Sequence, residues 1–550
     1  MAVIFHAMAG LCVFLILPVF LLLSIGPRKA RSIEGVYALL SPLCFSIGAL
    51  CFARYANIPY TKSYLSISAC MMTSLAGIIL IFRGIRSRLK DWTIHPLWLV
   101  YATGWLLLVI PWTALAGIDT YKWQDYATNL AVDPSLSLLV HPLSWFGFTP
   151  RTCPIGHPAL LTTVQMLFPC EVRGGFFIVS SYVGILAMVT TRILAHQLFQ
   201  ERQARFVWVI LYILAPVMVR YGHWATGRGL FMALFPLMML AMVHRSTSHV
   251  WLHGLPVFIL LAMAHKVAWP VLVIGLILLA LRTLLRNAPV PCRYLFVVAG
   301  IVGCLAWLPL LGLAGWMRLA IGRFVCLLPL SVLAVTVISK HPINLQETTL
   351  WLGTCMALPA ALDPSMYGAL PATLFLTWGG VYGLVVLQQK QPLWYPHLFK
   401  LIMLSAGIGA LAVVMVRSSQ AMPLRLEKAA RFLDQQVPEG PIQLTGPGRP
   451  VNQVQAYLRA CPLPSVDHTG TAAIQWRRPP GFSGSIDQTG QAWASYFRNP
   501  FDWKGFAIHY YGKSPQRYHL SINGVNDQLI SNATCVYHDG PVALWKMITP

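Results

Sequence analysis

Acidic side chains are scarce in this sequence, and charged residues of either sign are few. Of 550 residues only 10% are charged, and 17 are Asp or Glu against 40 Lys or Arg, which gives a formal net charge of +23. A soluble globular domain carries roughly 25% charged residues, so the composition excludes that class. Hydrophobic residues make up 57% of the chain, and we therefore interpret it as an integral membrane protein.

Other features are also missing. No nucleic-acid-binding motif accompanies the positive charge, and nucleic acid is not an expected partner. Many basic residues instead lie in short loops between apolar runs, as topology signals and contacts to anionic lipids. The 12 cysteines show no CxxC or Cys/His spacing, which argues against a zinc site. The basic cluster at 28–31 follows the first apolar run, the reverse of a signal peptide, and this order predicts a first transmembrane helix.

Apolar runs long enough to cross a hydrocarbon core of about 30 Å recur as far as about residue 416. They predict about fourteen transmembrane helices in residues 1–416, at 8–26, 36–54, 64–82, 95–116, 174–194, 206–222, 229–243, 250–265, 267–285, 294–314, 323–339, 347–362, 368–388 and 397–416. Alternate loops are basic, and the positive-inside rule makes those loops cytoplasmic. The other loops, including 117–173, and everything after 417 are then external, with both termini.

The chain becomes polar from about residue 421. Residues 417–550 are predicted to form a small α/β external domain, with one amphipathic helix in "LRLEKAARFLDQQV". Short strands are predicted in "PIQLTG", "AAIQW", "FAIHYYG", "RYHLSING" and "PVALWKM". In an oxidising compartment Cys461 could pair with Cys535, and Cys153 with Cys170. The alternative is unpaired thiols.

The few acids before residue 418 are unevenly placed. Four of nine fall in the loop 117–173. Asp119 directly follows an apolar helix, at the depth where a lipid-linked substrate presents its head group. A carboxylate there can deprotonate an acceptor hydroxyl or hold a divalent metal; the alternative is a solvated helix end. The next residues, "YKWQDYATNL", predict an amphipathic interfacial helix, in which Asp125 is a second catalytic candidate. Asp133, before Pro134, is interpreted as a turn residue.

Basic residues also occur where the positive-inside rule does not place them. Arginine binds phosphate through paired hydrogen bonds, whereas for any single residue the alternative is snorkelling to lipid head groups. As a group, these residues predict a phosphate-binding cleft that faces the acidic loop. "GHPALL" also predicts the start of a re-entrant or interfacial helix, with Pro158 in its first turn. The substrate-binding candidates are Arg151, His157, Arg220, His223, Arg228, His265, Lys266, Arg318 and Arg323.

Taken in chain order, three segments are similar to the glycosyltransferase C (GT-C) superfamily, polytopic enzymes that use polyprenyl-phosphate-linked sugars on the external face. The segments are "IDTYKWQDYATNLA", "GHPALLTTVQML" and "SSYVGILAMVTTRILAHQLFQERQARFVWVILYILAPVMV", and the resemblance covers mainly 117–245. It implies that Asp119 is the catalytic base or a metal-orienting acid, and that Arg220 or Arg228 holds the donor phosphate. The sequence departs from the family pattern at Thr120, where an acidic residue is usual, and at "GHWATGRG", which lacks the second acidic motif.

The resemblance implies an inverting glycosyltransferase in a bacterial inner membrane, in cell-surface glycan assembly. Its partners would be a polyprenyl-phosphate-linked donor, a glycan or glycolipid acceptor and membrane lipids. The sequence establishes no cofactor. Mg²⁺ and Mn²⁺ suit carboxylates, and the missing acidic motif argues against a metal. One alternative is a surface-polysaccharide polymerase or ligase that handles undecaprenyl-linked glycans through its arginines. Another is a lipid or solute transporter or flippase, which predicts internal repeats and ionisable residues in broken helices.

Overall fold

A computed structural model describes part of the chain. The described residues are 2–25, 33–56, 58, 60–82, 120, 123–124, 126–127, 130, 145–146, 154–168, 172–223, 226–243, 247–289, 295, 299, 345–361, 367–390, 395–418, 424–436, 441–445, 454, 461–462, 473–476, 516–522 and 533–547. The predicted spans 95–116 and 323–339 lie outside them, and so does 294–314 apart from Leu295 and Ala299.

Helices dominate the described residues up to 436. In chain order they are α1 (Ala2–Leu11), a π-helical stretch (Cys12–Ile16), α2 (Leu17–Ile25), α3 (Ile33–Leu39), α4 (Ser41–Tyr55), α5 (Lys62–Phe82), α6 (Gly156–Leu167), α7 (Val172–Leu198), α8 (Arg202–Ile213), α9 (Pro216–His223), α10 (Gly227–Val243), α11 (Thr247–Ala264), α12 (Ala268–Leu285), α13 (Leu345–Ala361), α14 (Ala369–Lys390), α15 (Tyr395–Ser418) and α16 (Leu424–Gln436).

Within these ranges, four helices are long and apolar enough to cross a membrane. They comprise Val3–Leu21, Lys62–Ile81, Gly174–Leu198 and Ala268–Leu285, and α8 with α9 makes a fifth if counted as one span. Shorter apolar helices occur in α4, α10, α11, α14 and α15. The described part of the chain is therefore mostly helical and has four or five candidate membrane spans, which is compatible with a membrane protein. The larger number of spans stays a prediction.

The predicted span 206–222 is not one straight helix. The axes of Arg202–Ile213 and Pro216–Gly222 differ by 56°. Pro216 explains the break, because proline has no amide hydrogen and its ring collides with the carbonyl four residues earlier, that of Tyr212. The bend turns α9 away from α8, and Tyr221 of α9 lies against the start of α10.

Helix α10 is the centre of the bundle. Every residue of Gly227–Val243 is buried except Arg228. It packs against α7, α11 and α14, as expected for a helix that is apolar on all sides. Aromatic side chains fill the surrounding core, and Phe231 and Phe235 stack with their ring centroids 5.6 Å apart.

A proline inside α10 is compensated by side chains of neighbouring helices. Pro236 cannot donate an amide hydrogen to the Met232 carbonyl. The Tyr212 hydroxyl donates to that carbonyl at 2.6 Å, and the Thr190 hydroxyl donates to the next one, Ala233, at 2.8 Å. These hydrogen bonds satisfy the backbone at a depth where water is scarce.

The C-terminal part contains a six-stranded sheet with α16 against it. Its strands are β1 (Pro441–Thr445), β2 (Cys461–Pro462), β3 (Ala473–Trp476), β4 (Gln516–Ile522), β5 (Ala533–Asp539) and β6 (Val542–Met547), in the order β2-β3-β1-β4-β6-β5. Only β1 and β4 pair in parallel among the described pairs. Helix α16 and four predicted strands are confirmed, whereas "FAIHYYG" lies outside the described residues. Strands β2 and β5 were not predicted.

The sheet order excludes a disulfide between Cys461 and Cys535. Cys461 lies in β2 at one edge and Cys535 in β5 at the other. Five strand spacings of about 4.8 Å separate them by roughly 24 Å, whereas a disulfide needs Cα atoms within about 7 Å. Cys535 is a free, exposed thiol. Cys153 and Cys170 lie outside the described residues.

Candidate functional site

Segments from distant parts of the sequence meet at one end of the helical bundle, here called the site end. A methyl group added to Gly227, at the start of α10, would collide with the Ala264 carbonyl and lie 2.6 Å from Cη2 of Trp123. One added to Gly156, at the start of α6, would lie 2.9 Å from the Met263 carbonyl oxygen. Glycine is required at both positions because helix ends approach each other there without room for a Cβ.

Different loops meet at the opposite end. Arg282 donates to the Met242 carbonyl, and Gln346 Nε2 donates to the Val243 carbonyl at 3.1 Å. These contacts bring the end of α10, the end of α12 and the start of α13 together, away from Gly227. Which face of the membrane each end occupies stays a prediction.

Arg228 is held at the site end between two tyrosines. Its Cζ lies 4.9 Å from the ring centroid of Tyr221 and 4.9 Å from that of Tyr367. Its Nη1 donates to the Tyr221 hydroxyl at 3.1 Å, and its Nη2 donates to the Tyr367 hydroxyl at 3.4 Å. A guanidinium between two aromatic faces keeps its charge and has a fixed orientation.

The backbone around Arg228 is also constrained. A Cβ on Gly229 would lie 2.5 Å from the Tyr221 carbonyl oxygen. On one side of Arg228, Gly229 therefore allows the end of α9 to contact the start of α10. On the other side, Gly227 allows Trp123 and the end of α11 to pack against the start of α10. We infer that these glycines position the arginine.

His265 lies beside this arginine in the turn between α11 and α12. Its side chain is 5% exposed, and its ring centroid is 5.6 Å from that of Tyr367. Its Nδ1 accepts a hydrogen bond from the Val267 amide at 3.2 Å. Burial, and then the charges of Arg228 and Lys266, lower the pKa of His265 to about 3. At neutral pH the ring is uncharged, and because Nδ1 is an acceptor its proton is on Nε2.

His157 is the most enclosed polar group at the site end. Its side chain has no solvent exposure, and neither ring nitrogen has a hydrogen-bond partner among the described residues. The ring lies edge-on to Trp123, with centroids 5.0 Å apart, and burial lowers its pKa to about 3. A buried polar group without a partner is costly and is often functional.

The segment that follows Asp119 packs into the protein. Thr120, Trp123, Gln124, Ala127 and Leu130 are helical and buried, and their spacing describes one helix face. Gln124 and Gln165 exchange hydrogen bonds of 2.7 and 3.2 Å, and the Thr162 hydroxyl donates to the Ala127 carbonyl at 2.9 Å. Predicting a helix here was right at the described positions. Trp123 is buried in the protein, against Gly227 and His157.

The structure brings three predicted site residues together: His157, Arg228 and His265. Lys266 is exposed in the turn beside His265. Arg220 is half-buried, with its Cζ 5.7 Å from the ring centroid of Tyr221. His223 lies in the last turn of α9. The other candidates lie outside the described residues: Asp119, Asp125, Arg151, Arg318 and Arg323, and the same holds for Asp133.

Sequence reasoning missed the two tyrosines and the glycines. The signal for the glycines was present, since "TGRG" places an arginine between two residues that permit close backbone approach. Tyr221 and Tyr367 had no comparable signal, because only the tertiary fold brings them to Arg228.

The described side chains of the site suit an anion better than a metal. Across the described ranges, no group of three or more His, Cys, Asp or Glu side chains is arranged to hold a metal ion. Carboxylates that suit Mg²⁺ or Mn²⁺, Asp119 and Asp125, lie outside those ranges. A guanidinium and an exposed ammonium are donors of the kind that can bind phosphate oxygens.

Neither a protein-family model nor a curated protein matches this chain.

Proposed function

We propose that this protein is a membrane glycosyltransferase of GT-C type, which transfers a sugar from a polyprenyl-phosphate-linked donor to a glycan or lipid acceptor at the external face. The observation that carries the proposal is the Arg228 guanidinium, fixed between Tyr221 and Tyr367 at the end of an apolar bundle. A fixed charge close to membrane depth is costly and is retained for function. In a lipid-linked phosphate, the charged phosphate would bind at Arg228 and the hydrocarbon tail would lie along the apolar bundle.

The proposed chemistry is a single displacement. The Asp119 carboxylate takes the proton of the acceptor hydroxyl, the acceptor oxygen forms a bond to the anomeric carbon, and the bond from that carbon to the donor phosphate breaks. Negative charge accumulates on the departing polyprenyl phosphate. Arg228 and Lys266 stabilise this charge, and the Nε2–H of His265 is a neutral donor to it. Thr120, the residue that follows Asp119, is buried.

Binding of undecaprenyl phosphate to the full-length protein in lipid nanodiscs tests the phosphate site. Arg228→Ala should weaken binding at least tenfold. Arg228→Lys should recover only part of it, because an ammonium lacks the paired donors and the stacking plane. The matched control is Arg286→Ala, at the opposite end, which should bind like the wild type. Equal affinities in all four proteins, or equal binding of phosphatidylglycerol, would contradict the proposal.

The polymerase or ligase alternative uses the same arginine differently. There the arginines dominate, so Arg228→Ala would abolish surface glycan while Asp119→Asn would leave it normal. The two variants therefore separate this alternative from a transferase that needs a base.

A transporter is favoured by one specific observation, the 56° break between α8 and α9. Discontinuous helices form the substrate sites of many transporters. Of the ionisable side chains described near this break, Arg228 lies in the first turn of α10 and Arg220 lies inside the short helix α9. An assay in proteoliposomes that contain undecaprenyl phosphate distinguishes a transporter from a transferase. Movement of the lipid between leaflets without any acceptor would support a flippase, and sugar transfer without net movement would support the transferase.

A further inference from the structure

Two cysteines of the N-terminal helices lie against each other. The Cys12 and Cys70 thiols are close enough to interact electrostatically, and neither is in a disulfide. Cys12 begins the π-helical stretch between α1 and α2, and Cys70 lies in α5. Cys12 is at the middle of the candidate span Val3–Leu21, and Cys70 is near the middle of Lys62–Ile81.

The register of the two spans supports this pairing independently of the thiols. On one side of the pair, His6 Nδ1 and the Ser66 hydroxyl are 2.7 Å apart. On the other side, the ring of Phe20 lies 3.1 Å from the position of a Cβ on Gly77. The residue numbers rise together along both spans, so the helices run parallel, and these two contacts place Cys12 and Cys70 at the same height along the helix pair.

We propose that Cys12 and Cys70 form a redox-active thiol pair that closes to a disulfide linking the first span to α5. The two S–H bonds break, one S–S bond forms, and two electrons and two protons pass to a lipid-soluble quinone, which becomes a hydroquinone. A quinone is the class of two-electron oxidant that reaches this depth. The proposal does not rest on the proposed function.

The surroundings let such an oxidant approach. Both cysteines are partly exposed. Leu15 and Met71, which flank the pair, are 59% and 67% exposed and form the apolar outer surface of the bundle. The pair therefore lies in a seam that opens toward lipid.

The pair is also close to the helix that carries His157. The ring of Phe14 lies 5.9 Å from that of Phe168, which caps the end of α6. A Cβ on Gly10 would lie 2.8 Å from the same Phe168 ring. A covalent link at Cys12 would thus fix the surface on which α6 rests.

Oxidation of the full-length protein in native membranes with a short-chain benzoquinone tests the proposal. After thiols are blocked with N-ethylmaleimide, mass spectrometry of the digest should find a peptide that links Cys12 to Cys70. Counting thiols with a maleimide polymer in denaturant should show a loss of two in the wild type. Cys12→Ser and Cys70→Ser should each lose none from this pair, and Cys44→Ser should lose two like the wild type.

Absence of the linked peptide from the oxidised wild type overturns the proposal, and so does an unchanged loss of two thiols in Cys70→Ser. Because the first readout uses the wild-type chain, a variant that fails to fold does not decide the result.

Discussion

Replacing Gly227 by alanine tests how the site end is packed. The new methyl carbon would lie 2.6 Å from Cη2 of Trp123 and would collide with the Ala264 carbonyl. Carbon atoms pack at about 3.5–4.0 Å, so the indole or the end of α11 must move by about 1 Å. Overpacking of this kind costs about 1–3 kcal/mol. We expect Gly227→Ala to lower both the midpoint of thermal unfolding and the affinity for undecaprenyl phosphate.

Gly407→Ala is the matched control. Gly407 also lies in a helix, α15, but nothing lies within 4 Å of its added Cβ. There alanine should be neutral or stabilising by up to about 1 kcal/mol, because it restricts the unfolded chain. Thermal unfolding is followed by size-exclusion chromatography with fluorescence detection, in one detergent for both variants. If Gly227→Ala and Gly407→Ala have the same midpoint and bind the lipid equally, the described packing is wrong.

Two further predictions concern stability. Tyr212→Phe leaves the Met232 carbonyl without its side-chain donor and should destabilise the protein by about 1–3 kcal/mol. Tyr64→Phe should cost less in the same unfolding assay, because the Ala49 carbonyl it contacts lies inside α4 and keeps a helical donor. The pKa values of His157 and His265 are both lowered to about 3 from 6.5, so the unfolded chain binds more protons between these values. The free energy of unfolding is therefore unaffected by these histidines above pH 6.5. Between pH 6.5 and pH 3 it decreases by roughly 1.4 kcal/mol per pH unit for each histidine, because only the unfolded chain becomes protonated there. His157→Phe should halve the contribution of His157 and His265 to the slope of the unfolding free energy against pH. An unchanged slope in that variant would contradict the burial of His157.

The sequence predicts much of the helical layout because each span carries its own signal. A run such as 64–82 is long and apolar, and the structure has α5 at Lys62–Phe82. The break before Pro216 was not predicted, although proline disfavours a continuous helix. The span count was less secure, since a helix such as α10, enclosed by protein, has the same composition as one that faces lipid.

The candidate site was predictable only as a set of basic residues. The charge pattern predicted Arg228, His157 and His265 as candidates, because ionisable residues stand out against an apolar background. The tyrosines that orient Arg228 come from α9 and from residue 367, and no local pattern connects them. Strands β2 and β5 escaped prediction for a related reason: β2 is very short, and "ATCVYHD" is stabilised by pairing with β6.

Sugar transfer by Asp119→Asn tests the central claim most directly. Membranes that contain equal amounts of wild-type or variant protein are supplied with their native polyprenyl-linked sugars, and surface glycan is measured together with released polyprenyl phosphate. The amide cannot accept the proton of the acceptor hydroxyl, and a lost general base typically costs about 10²–10⁴-fold in rate. We predict that both products fall by at least a hundredfold, while undecaprenyl phosphate still binds. Normal glycan in this variant would contradict the assignment of Asp119 as the catalytic base.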